Sequence, residues 1–88
     1  MDTNRIEELI KWFRTYDGRA LCSMDRDKYF VTPIMEALGD DVDMILDYLS
    51  QMGDEDLREI SGIFEEIYGK FMTDEVYDSL GALEEKIA

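Results

Sequence analysis

The chain has 88 residues, 22 acidic and 9 basic, for a net charge of −13, with 45% apolar and 11% aromatic residues and no histidine. That length suits one domain, 1–88, with a single modest core, and the regular recurrence of its apolar residues argues against the disorder that high charge can bring. The acid excess repels nucleic acid phosphates and anionic lipid, so direct nucleic acid binding and membrane binding are not expected, and the lack of histidine removes catalytic triads and the common zinc sites.

The first predicted helix covers residues 4–16. Ile6, Leu9, Ile10, Phe13 and Tyr16 share a face, Trp12 lies at its margin, Glu7 stands one turn before Lys11, and Asp17-Gly18 is the stop signal. Over residues 19–31 the period is lost. Arg19–Met24 and Tyr29–Val31, separated by Asp25-Arg26-Asp27-Lys28, read either as a hairpin-like pair or as an irregular connection with one helical turn. Cys22 is the only cysteine, which excludes an intrachain disulfide and fits a reducing compartment; it is expected to be a small buried apolar residue. Asp25-x-Asp27 begins like a calcium loop, but Lys28 intrudes and Phe30 occupies the place where that loop needs glycine.

The second predicted helix, 33–38, has Thr32 as its cap, Pro33 in its first position, and Ile34, Met35 and Leu38 as its apolar residues before Gly39 ends it. The third, 41–52, is capped by Asp40 or Asp41 and turns Val42, Ile45, Leu46 and Leu49 inward, with Gly53 closing it. The fourth, 55–69, has Asp54 as cap, with Glu55 and Asp56 favourably placed against the helix dipole. Its stripe of Leu57, Ile60, Phe64, Ile67 and Phe71, widened by Ile63 and Tyr68, implies neighbours on more than one side. Thr73 caps the fifth, 74–87, with Val76, Leu80, Leu83 and Ile87 inward. Gly62 and Gly81 interrupt good helices, for which close approach of two backbones is the plain explanation. Short connections then make the fold all-α, a compact bundle of about five short helices.

Charge is unevenly placed along the chain. Residues 1–28 hold 6 basic and 6 acidic side chains, whereas residues 29–88 hold 3 basic and 16 acidic, the whole of the −13. Asp40, Asp41, Asp54, Glu55 and Asp56 have a local role at helix starts, while Asp43, Asp47, Glu59, Glu65 and Glu66 fall on outward faces. Met44 and Tyr48, one turn apart and flanked by Asp43 and Asp47, have the make-up of a protein-binding hot spot with a polar rim, and equally that of residues packed on a neighbouring helix. The candidate partner-binding set is therefore Asp43, Met44, Asp47, Tyr48, Glu55, Glu59, Glu65 and Glu66. The carboxylates sit on caps and outward faces instead of converging in a cleft, so no catalytic, cofactor or metal site is expected.

From Tyr48 onward the chain, YLSQMGDEDLREISGIFEEIYGKFMTDEVYDSLGALEEKIA, resembles small acidic helical bacterial immunity proteins of polymorphic or contact-dependent toxin systems. The likeness lies in the acidic turn before the fourth helix, in Ile60-Ser61 followed by Phe64-Glu65-Glu66-Ile67, and in the closing amphipathic helix around Leu80 and Leu83. What it implies is a cytoplasmic, non-enzymatic protein that binds one cognate toxin with a basic surface, often a nuclease, and blocks it. No functional residue is carried over, because such proteins bind through surfaces that vary with the toxin. A phage-encoded nucleic-acid mimic of the anti-CRISPR kind and a structural helical adaptor whose charge serves solubility are the alternatives. The longest stretch without a charge, Tyr29–Met35, is far short of a membrane span.

Overall fold

Helix α1 spans Thr3–Phe13 and opens on Asp2, whose carboxylate accepts the Arg5 backbone N–H at 3.0 Å. That bond satisfies one of the amide groups that every helix leaves without an internal partner at its start. In the computed structural model, which describes residues 1–15, 20 and 22–87, the chain is all-α, and no strand occurs among the described residues. It packs as two units, Met1–Asp40 and Asp41–Ala88.

In the first unit, Ile6, Leu9, Ile10 and Phe13 are buried along one face of α1, as their spacing predicts. The helix closes at Phe13, earlier than expected, because both the backbone N–H and the hydroxyl of Thr15 donate to the Trp12 carbonyl, at 2.9 and 2.6 Å. Such three-residue bonds tighten a last turn and compete with continued α-helix. Tyr16 and the Asp17-Gly18 stop lie outside the described residues.

Of the segment 19–31, Arg19 and Leu21 lie outside the described residues. From Ser23 onward the chain forms no hairpin, and the one helical turn allowed for there continues instead of giving way to an irregular connection. Helix α2 (Ser23–Arg26), a π-helical turn (Asp27–Val31) and helix α3 (Thr32–Leu38) run on continuously. Pro33 supplies the physical reason. A proline inside an α-helix has no N–H to donate and its ring collides with the carbonyl four residues back, which here belongs to Tyr29. The π-turn relieves this by shifting the register, so that the Thr32 N–H bonds to the Asp27 carbonyl, five residues back. Thr32 therefore lies within continuous helix at φ −61°, ψ −48°, and is not the cap of a new one. The wider turn also breaks the 3.6-residue period that sequence reading relies on, and Phe30 and Val31 become core all the same.

Phe30 is fully buried with its ring stacked on Phe13, centroids 4.0 Å apart at 22°. Ile34, Ala37 and Leu38 complete this core, and Met35 is partly exposed. The Asp2 N–H donates to the Ala37 carbonyl at 2.8 Å, tying the start of α1 to the end of α3. Gly39, at φ +79°, turns the chain out of α3 through a conformation that disfavours any side chain. Cys22 is exposed, contrary to its expected burial: it stands at the start of α2, where its carbonyl accepts the Arg26 N–H at 2.8 Å and its Sγ donates to the Asp25 carboxylate at 3.4 Å.

The second unit contains α4 (Val42–Ser50), α5 (Asp54–Ser61), α6 (Phe64–Phe71) and α7 (Asp74–Ile87), with the three shorter helices packed against α7. Asp41 caps α4 by accepting the Met44 N–H at 3.2 Å, and Thr73 caps α7 by accepting the Val76 N–H at 3.2 Å. Asp54, expected as a cap, instead occupies the first turn of α5. Gly53 is the capping residue and offers only its carbonyl, which accepts the Leu57 N–H at 2.9 Å. Arg58 Nε reaches the Ile87 carbonyl at 3.3 Å, placing a cation at the negative end of the α7 dipole.

The single helix expected over 55–69 is two. Gly62, a weak helix former, and Ile63, at φ −113°, ψ 11°, interrupt it, and the Ile63 N–H bonds to the Ile60 carbonyl at 2.9 Å in a tight turn. The break explains the wide apolar arc. Leu57 and Ile60 on α5, Ile63 at the junction, and Phe64 and Ile67 on α6 are all buried because each short helix presents its own face. With Ile45, Leu49, Val76, Leu80 and Leu83 they make the core of this unit, while Val42, Leu46, Phe71 and Ile87 are only half-buried. Among the described residues no polar or charged side chain is buried.

Gly81 sits in the interior of α7, and a Cβ placed there meets nothing within 4 Å, so close backbone approach is not its reason. Glycine in an exposed helix interior costs about 1 kcal/mol relative to alanine. Gly81→Ala is accordingly expected to raise the unfolding free energy by about that amount in a urea titration.

Candidate functional site

The unit Asp41–Ala88 carries 3 basic and 14 acidic side chains, a net −11, against 6 basic and 8 acidic in Met1–Asp40. Twelve of those 14 acids are exposed, Asp56 and Glu59 are half-buried, and the apolar residues of the four helices form the core. Asp43, Met44 and Asp47 are exposed on α4, Met44 by 51%, and the Asp47 carboxylate accepts the Gln51 side-chain amide at 3.1 Å. Tyr48 is half-buried and engaged in an interaction of its own, as is Glu59 on α5. Glu55 is exposed in the first turn of α5, and Glu65 and Glu66 in the first turn of α6. The eight candidates are thus spread over three helices, and Glu65 alone lines the concave surface described next.

Between α6 and α7 runs an open groove of about 520 Å³. Phe64 and Leu80, both buried core residues, contribute its apolar lining. Tyr68 on α6 and Tyr77 on α7 wall it, 39% and 64% exposed, with their rings edge to face at 5.5 Å and 63°. Two large, partly exposed aromatics in an edge-to-face pair make a stiff, amphipathic surface of the kind that anchors protein contacts. Glu65, Asp78, Glu84 and Glu85 also line the groove, and no basic residue is among its lining residues. Gly81 and Ala82 leave it open: Tyr77, Gly81 and Glu85 follow one another at four-residue steps along α7, and at the middle step there is no side chain.

Sequence reading placed Tyr68 in the widened apolar arc and did not single out Tyr77, Asp78, Gly81, Ala82, Glu84 or Glu85. The available signal was Gly81, a weak helix residue inside a strong amphipathic pattern. Two further depressions, lined by Arg5, Glu8, Leu9, Trp12 and Tyr29 and by Asp2, Arg5, Pro33, Glu36 and Ala37, mix both charge signs and have no comparable aromatic pair.

Among the described residues no group of three thiol or carboxylate side chains is arranged to hold a metal ion, and no helix is long and apolar enough to cross a membrane. No protein family, curated protein or solved structure matches the chain.

Proposed function

We propose that this chain is an immunity-type inhibitor, a non-enzymatic cytoplasmic protein that binds a cognate protein toxin with a basic surface and holds it inactive through the unit Asp41–Ala88. The observation that carries this reading is the segregation of charge: a net −11 falls on the 48 residues of one unit. A small domain stays in solution with a net charge of about 2–8 in magnitude, and further like charge destabilises the compact state by self-repulsion. An excess with that cost is accounted for by a partner of opposite sign, for which it supplies fast, oriented capture. The substrate groove of a nuclease is such a surface, since it is built to attract phosphates. The resemblance of residues 48–88 to acidic immunity proteins supports the same class.

Co-expression with the product of the adjacent gene tests the reading. The expected outcome is rescued growth and a complex that co-purifies at about 50 mM salt and weakens as rising salt shortens the Debye length. Toxicity unrelieved by this chain, with no complex at low salt, sinks it.

A further inference from the structure

The groove between α6 and α7 joins an aromatic pair, a one-sided charge and an otherwise unexplained glycine. Tyr68 and Tyr77 remain exposed although each has apolar area to bury, and four carboxylates line the same concavity. Gly81 weakens α7 where no neighbour requires a glycine, and its missing side chain keeps the groove open beside Tyr77. We propose that this groove is the seat of an arginine side chain presented by the basic protein partner. The proposal rests on the reading given above and adds the anchoring residue.

The chemistry selects arginine. An anionic occupant, whether phosphate, nucleic acid or carboxylate, meets four negative charges. A purely apolar side chain covers the tyrosines but strips water from the carboxylates without giving them donors. A guanidinium satisfies both features: it stacks on tyrosine faces within about 6 Å, is weakly hydrated, and directs five N–H donors in a plane toward surrounding carboxylates. An ammonium group offers three donors and a tighter hydration shell, so lysine is the weaker occupant.

The test uses the full chain and a short arginine-glycine peptide as probe, with lysine-glycine and citrulline-glycine peptides as controls, followed by amide NMR at low salt. The arginine peptide is expected to shift the Gly81 and Ala82 amides saturably, the lysine peptide to bind several-fold more weakly, and the neutral citrulline peptide not to bind. Gly81→Leu fills the groove while leaving every charge in place and improving helix propensity, and it is expected to weaken arginine-peptide binding about tenfold or more. Tyr77→Ala, at an exposed position, is a second variant expected to have the same effect. Shifts confined to the Asp43, Asp47 and Glu55 region, or unchanged binding by Gly81→Leu and Tyr77→Ala, overturn the groove assignment and leave the basic-partner reading standing. No shift anywhere from the arginine peptide at low salt overturns both.

Discussion

Replacing Phe30 by alanine is expected to destabilise the Met1–Asp40 unit by about 3–5 kcal/mol, among the largest effects available to a single substitution in this chain. Phe30 is fully buried, so the substitution removes its whole ring from apolar surroundings and leaves a cavity. Its neighbour Phe13 also loses a stacking partner at 4.0 Å, a contact of the kind worth about 0.5–1.5 kcal/mol beyond burial. The lodging of Phe30 on a π-turn makes relaxation harder, because the register that places it is fixed by Pro33 after it and by the Thr32 to Asp27 bond that spans it. Small domains have total stabilities of about 5–15 kcal/mol, and a unit of this size lies at the low end of what a core can supply. Trp12 is the only tryptophan and lies half-buried on α1, so its fluorescence during urea unfolding reads this unit directly. Ile34→Val, which removes one methylene from the same core, is the control and is expected to cost about 0.5–1.5 kcal/mol. Equal midpoints for the Phe30→Ala variant and the parent show that the ring does not hold α1 against α3.

Whether a feature was legible in the sequence depended on whether it repeats at a fixed period. The inward faces of α1 and α7 were legible because Ile6, Leu9, Ile10 and Phe13, and Val76, Leu80 and Leu83, keep the 3.6-residue spacing throughout. The Thr73 cap was legible, and the α4 cap to within Asp40 or Asp41, because the partner is three residues away, whereas the same local pattern misplaced Thr32 and Asp54. Phe30 was not legible, because the π-turn inserts a residue into the repeat and the pattern looks lost where the helix in fact continues. Nor was the break at Gly62–Ile63, where a wide apolar arc served equally well for one helix with several neighbours or two helices with one each. The groove was the least legible feature, since Tyr68 and Tyr77 lie on different helices and meet only when α6 packs on α7. What sequence supplied there was the sign of the charge and a glycine inside a helix, whose expected reason, close backbone approach, the structure removes.

Reversing four exposed acids outside the groove, Asp43→Lys, Asp47→Lys, Glu55→Lys and Glu66→Lys together, separates capture from anchoring. The substitutions take the Asp41–Ala88 unit from −11 to −3, since each moves the charge by two. Electrostatic steering raises association rates by about 10–10³-fold, so the rate for a basic protein partner of the kind proposed above is expected to fall about 100-fold at low salt. Near 1 M salt, where the Debye length is about 3 Å, parent and variant are expected to converge. The fold is expected to change by no more than about 1–2 kcal/mol, because lost helix-dipole pairing at Asp43, Glu55 and Glu66, about 0.3–1 kcal/mol each, is offset by relief of repulsion among the remaining acids. Dissociation is the discriminating measurement. A long-range field acts on the approach, and short-range contacts set the lifetime. The fourfold reversal should therefore slow association and leave dissociation nearly unchanged, whereas Tyr77→Ala should speed dissociation and leave association nearly unchanged. Association at low salt that does not respond to the reversal means that these faces do not guide the partner, and the function of the acidic unit must then be sought in the groove alone.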